Sequence, residues 1–197
     1  MANAFRASVA SNLGFVAWIV YGVLAMRGHN HQAPLAGLAL TLIILAAELR
    51  LRAVKIVDCT SLAFFILALG TLRVFGPHTY GQARVVMAWG IFAVMAWATL
   101  LAGFPFTTQY AREQAPPELW TEPQFHSANV TLTVVWALIF TVSTGLAMIA
   151  LEGRFVLMLE LIIPGAGMVF GYAFSRYYPE HLRRRYQALG NAAHAGG

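Results

Sequence analysis

The chain has 197 residues, 59% of them hydrophobic and 11% charged, with a net charge of +5 and a mean hydropathy of +0.64. Soluble domains carry about 25% charged residues, so this composition leaves too little polar surface for a globule in water. The basic residues are scattered between apolar runs rather than gathered on one face, which excludes nucleic acid as a partner and suits a single domain oriented in a bilayer of anionic lipids.

Taken in chain order, Ala7–Met26 is the first run long enough to span, since a bilayer needs about 20 mostly apolar residues. The residues after it, "RGHNHQ", offer no small-x-small cleavage site near the apolar boundary, so a retained helix is expected rather than a signal peptide. Ala33–Ala47 and Cys59–Leu72 are shorter. The turn "ELRLRAVKIVD" between them carries Arg50, Arg52 and Lys55, whose side chains are expected to snorkel to the headgroups and lengthen both spans. Val85–Phe104 and Val130–Leu151 hold no charge, and Phe155–Phe174 holds one acid, Glu160.

The predicted fold is therefore an all-α integral membrane bundle of six transmembrane helices, with spans at about 7–26, 33–49, 56–74, 85–104, 129–151 and 155–175 and a basic tail at 176–197. Six spans place both termini on one side. That side collects Arg6, Arg50, Arg52, Lys55, Arg112, Arg176 and Arg183–Arg185, against Arg27, Arg73, Arg84 and Arg154 on the other. The positive-inside rule makes the first side, and with it both termini, cytoplasmic. The "RRR" of the tail is expected on anionic headgroups.

The polar stretch 104–129 interrupts this pattern. A short helix is predicted over Pro105–Glu113, a turn at "PELW", and the fifth helix from near Thr121, with Thr121 and Gln124 forming a capping box. Phe104, Phe106, Tyr110, Trp120 and Phe125 among polar residues suit a cytoplasmic element lying in the headgroup plane. As a recognition surface, it would be anchored by Tyr110 and Trp120. Gln109, Arg112, Glu113, Glu118, Glu122 and Asn129 would supply specific contacts.

In the sixth helix, Glu160 at membrane depth must face the bundle, pair or protonate, and Arg154 or Arg84 is its expected partner. Pro164 should kink the helix and free a carbonyl. Gly167 and Gly171 form a GxxxG that permits close helix packing, within one chain or between copies in a homo-oligomer. The polar residues of the fifth helix, among them Thr131, Thr133, Thr141, Ser143 and Thr144, are expected in interhelical hydrogen bonds.

Enzymatic chemistry finds no support. Cys59 is the sole cysteine, so no multi-cysteine metal site exists, and it is expected to be a buried inert thiol. None of the six histidines lies mid-span, no nucleophile–base–orienter set assembles, and no cofactor or metal site is expected.

The pattern Pro105, Gln109, Trp120, Asn129, Trp136–Ala137 and Phe140 resembles the bacterial intracellular septation protein A family of small inner-membrane proteins, over residues 100–145. The resemblance implies a non-enzymatic role in cell-envelope biogenesis or division, through contacts with membrane proteins of that machinery. The loop here is richer in carboxylates than the family's, and the tail longer and more basic. The alternative function is a small transporter or channel, with its site at the broken sixth helix (Glu160, Pro164–Gly171).

Overall fold

The computed structural model describes the backbone of residues 2–153 and 155–195, and side chains at 14–153, 155–180 and 182. The expectations for Arg6, Arg154, Arg183–Arg185, His181 and His194 lie outside the described side chains. The elements are α1 (Ala2–Met26), α2 (Gln32–Leu51), α3 (Ile56–Leu101), α4 (Thr107–Gln114), a 3-10 turn (Pro117–Leu119), α5 (Pro123–Ala150), a π-helical turn (Met158–Ile162) and α6 (Ile163–Ala195). Among the described residues there is no strand. Four helical stretches, Gln32–Leu51, Ile56–Leu101, Pro123–Ala150 and Met158–Glu180, are long and apolar enough to cross a membrane, and Gly14–Met26 is a shorter apolar helix.

Helix α3 is two helices in one run. Straight, its 46 residues would extend about 69 Å, more than twice the ~30 Å of a hydrocarbon core. The break is at Gly76, with φ 82° and ψ 172°, a region that side chains with a Cβ avoid. Pro77 follows, lacking the N–H that would continue the ladder. The chain reverses there. Phe64 and Phe92 both contact the Trp18 indole, with ring centroids 4.6 Å and 5.1 Å away, whereas a straight helix would separate them by about 42 Å.

Two packed regions result. In one, Trp18 and Tyr21 of α1 interlock with Phe64 and Phe65 of α3, all four rings within contact distance. The Phe65 ring lies on Gly37 of α2, where any Cβ would collide with it, so α2 and α3 approach closely because residue 37 has no side chain. The second region gathers Phe92, Trp89, Trp136 and Phe140 between α3 and α5. Helix α6 packs on α5 through its glycines. A Cβ at Gly171 would stand 2.8 Å from Ile139 Cδ1 and 3.0 Å from Trp136 Cη2, and one at Gly167 3.2 Å from Ile139 Cγ2. Trp136 Nε1 also donates to Ser175 Oγ at 2.9 Å. The GxxxG thus makes an intrachain contact.

The bundle has two unlike ends. At one, the Tyr21 and Tyr80 hydroxyls meet at 3.0 Å and Arg84 donates to Asn30 at 3.0 Å, joining the α1–α2 loop to the start of the second half of α3. At the other, the α2–α3 loop meets α4. Several local expectations change. Helix α5 is capped by Glu122, with Pro123 in its first turn and no side-chain cap, so the Thr121–Gln124 capping box does not form. Cys59 is exposed on the outer face of α3, where a thiol serves as a small apolar side chain. Lys55 does not snorkel outward; it is buried.

Candidate functional site

The α4 end is built from the last turn of α2. Its closing residues form a Schellman motif, in which Ala53 N–H donates to Glu48 O at 3.0 Å and Arg52 N–H to Leu49 O at 3.2 Å. Arg52 takes the left-handed conformation, φ 54° and ψ 38°, at a position that favours glycine. Three residues on, Lys55 is extended and precedes α3 without a side-chain cap of its own. Gln109 of α4 supplies one instead: its Oε1 accepts from Ile56 N–H at 2.9 Å and its Nε2 donates to Val54 O at 3.4 Å. A free N–H at a helix start needs such an acceptor.

Three ionisable groups are held beneath this cap. Glu48, Lys55 and Asp58 are 3%, 4% and 4% exposed, values that rule out solvation as their source of stability. Lys55 N–H donates to Glu48 Oε2 at 3.2 Å. Its ammonium lies 3.1 Å from Glu113 Oε1, close enough to pair electrostatically though off the geometry of a hydrogen bond. It also lies 5.1 Å above the Tyr110 ring, a cation–π distance. Glu48 and Asp58 are within hydrogen-bonding reach of each other, and the Asp58 carboxyl rests on Gly14 of α1, in the space a Cβ would fill. Of the three carboxyls near the Lys55 ammonium, Glu113 is the one within ion-pair distance among the described residues. Burial, then the nearby charges of Asp58, Glu113 and Glu48, push the Tyr110 phenol above its ordinary range.

The start of α4 is fixed to α5. Thr107 donates to the Asn129 carbonyl at 2.9 Å and receives the Thr133 hydroxyl at 2.8 Å. Asn129 is buried and its amide donates to Phe125 O at 2.8 Å. Its Oδ1 has no partner among the described residues.

The residues singled out from sequence divide accordingly. Asn129 is buried and Tyr110 half-buried, whereas Gln109 and Glu113 are exposed and at the same time bonded to the α2–α3 loop. Arg112, Glu118, Trp120 and Glu122 are exposed. The Arg112 guanidinium lies over the Trp120 ring at 5.3 Å, and the indole N–H donates to Ala115 O at 3.1 Å. A cleft of about 380 Å³ opens here, lined by Arg52, Lys55, Gln109, Arg112, Glu113 and Trp120 among others.

Glu160 lies elsewhere, half-buried in the π-helical turn after the α5–α6 loop, with Pro164 buried four residues on. Pro164 lacks the N–H that would pair with the Glu160 carbonyl in an α-helix, and the widened turn is how the chain accommodates it. No ion pair of Glu160 with Arg84 is present among the described residues; Arg84 is instead bound to Asn30. In α5, Thr141 accepts from Trp97 Nε1 at 3.0 Å across to α3, while Thr131 and Thr144 bond back to their own helix.

Sequence reasoning missed Glu48 and Asp58. The signal available was three ionisable residues, Glu48, Lys55 and Asp58, spaced seven and three apart across the loop between two apolar runs of a chain otherwise poor in charge. Among the described residues no three His, Cys, Asp or Glu side chains converge as a metal-ligand set. No family model, curated protein or solved structure matches the chain.

Proposed function

We propose that this is a six-span protein of the bacterial inner membrane, with both termini in the cytoplasm, that acts without catalysis by presenting the α4 element to other envelope proteins. The reversal at Gly76 supports counting α3 as two spans, and the distribution of basic residues supports the orientation. The observation that carries the docking role is the way α4 is held. Lys55–Glu113, the Gln109 cap and the Thr107–Asn129 bond anchor its inner face, so Arg112, Glu118, Trp120 and Glu122 form a preformed outer surface. A surface fixed before binding loses little entropy on binding. The resemblance to the septation protein A family makes cell-wall synthesis and division proteins the expected partners.

Photo-crosslinking from position 118 in living cells, with mass spectrometry of the captured chains, tests this. Capture of such envelope proteins, reduced in Trp120→Ala while membrane insertion is unchanged, is expected. Equal capture by mutant and wild type would remove the docking role.

The π-helical turn favours a second reading, a small transporter with Glu160 as coupling carboxylate, because π-bulges recur at functional sites. Proton flux in liposomes that is lost in Glu160→Gln would support it, and flux indifferent to the substitution would end it.

A further inference from the structure

The cleft between the α2–α3 loop and α4 joins Arg112 and Trp120 of the docking surface to Arg52 and Lys55 of the loop, and its charge is unbalanced. Its lining holds three cations, Arg52, Lys55 and Arg112, and one carboxylate, Glu113. That carboxylate is committed to Lys55. Among the described residues neither Arg52 nor Arg112 has a carboxylate within ion-pair distance, so the cleft carries two uncompensated guanidinium groups.

We propose that this cleft binds the phosphate of an anionic lipid headgroup, with Arg52 and Arg112 as its ligands. Guanidinium presents a planar fork of N–H donors that matches phosphate oxygens in pairs. Trp120 covers one face of Arg112, which orients the fork while its edge stays free to donate. The indole N–H is already bound to Ala115 O, so Trp120 serves as a platform and not as a ligand. Arg52 occupies a backbone conformation that glycine adopts with less strain, and the residue there nonetheless carries a long cationic side chain into the cleft.

The lipid is favoured over a free anion by what flanks the cleft. Leu49 and Leu51, directly before Arg52, are 66% and 57% exposed. Leu49 shares its face of α2 with exposed Leu42, two turns earlier, an apolar strip along which an acyl chain can lie while its phosphate reaches the arginines. The volume of about 380 Å³ falls in the range of small-molecule sites.

The test uses the full chain in nanodiscs of mixed phosphatidylcholine and phosphatidylglycerol, with native mass spectrometry of the lipids retained on release. Wild type is expected to retain phosphatidylglycerol selectively. Arg52→Gly and Arg112→Gln should each reduce that selectivity about tenfold, the loss expected for charge-assisted hydrogen bonds. Arg52→Gly is the variant that protects the test from misfolding, because glycine suits the left-handed position. Its unfolding midpoint should be unchanged or higher. Retention equal in wild type and both variants would overturn the proposal. Displacement of the lipid by millimolar inorganic phosphate would assign the site to a soluble anion and overturn the lipid source. Unchanged lipid retention with weakened partner capture would make the cleft a protein contact instead.

Discussion

The two ends of the bundle are held by different physics. Around Trp18, Tyr21, Phe64 and Phe65, neighbouring aromatic rings fill the space between α1, α2 and α3, and the polar groups there pair through hydrogen bonds, Tyr21–Tyr80 and Arg84–Asn30, with no ion pair among the described residues. At the α4 end, the same helices close over Glu48, Lys55 and Asp58, with Glu113 reaching in from α4. Lipid surrounds both regions, so burial of apolar area distinguishes them little. Shape decides the aromatic region, and compensation of charge decides the α4 end. The second arrangement is the more costly to assemble, because each buried charge must be compensated.

The largest expected effect lies in the aromatic region. Phe65→Ala removes a fully buried ring from the surface of Gly37 and should cost about 3–5 kcal/mol, read as a lower midpoint in thermal unfolding of the detergent-solubilised protein. Next is Lys55→Met. It leaves Glu113 without its ion-pair partner and the buried Glu48 and Asp58 without a nearby cation, and breaking such a pair costs up to about 3 kcal/mol. This loss should fall mainly on α4, measured as faster proteolysis between residues 104 and 122, and adding Glu113→Gln should restore part of it. A loss spread evenly over all helices would erase the distinction between the ends.

The smallest effect is a pH dependence. Tyr110 has a folded pKa above its unfolded value of about 10. Its contribution is therefore complete below pH ~10 and is lost as pH rises from there toward the folded pKa. Loosening of α4 in strong alkali should be weaker in Tyr110→Phe. An alkaline transition identical in that variant would place the titrating group elsewhere.

Much of the fold was legible in the sequence, and the charged site was not, for one physical reason. In water, a helix shows which face is buried by alternating apolar and polar residues. In lipid, both faces are apolar, so the runs at 33–49 and 56–74 reveal length without revealing direction. Helix existence and the polar interruption at 104–129 follow from composition alone. That Glu48, Lys55 and Asp58 turn inward, while Cys59 turns outward, depends on rotation about the helix axes, which only packing sets. The same holds for the start of α5. Thr121–Gln124 has the pattern of a capping box, yet the helix starts after Glu122 with Pro123 in its first turn. Gly167 and Gly171 were readable because absence of a side chain has the same meaning on either face.

The central claim, six spans with the α4 end in the cytoplasm, is tested most directly by labelling single cysteines with a membrane-impermeant maleimide in spheroplasts. The background is Cys59→Ser, with His78→Cys beside the Gly76 reversal and Glu118→Cys beyond α4. Labelling of position 78 in intact spheroplasts, and of position 118 only after lysis, is the expected result. Position 78 protected until lysis, or position 118 labelled without it, would contradict the topology and the docking surface built on it.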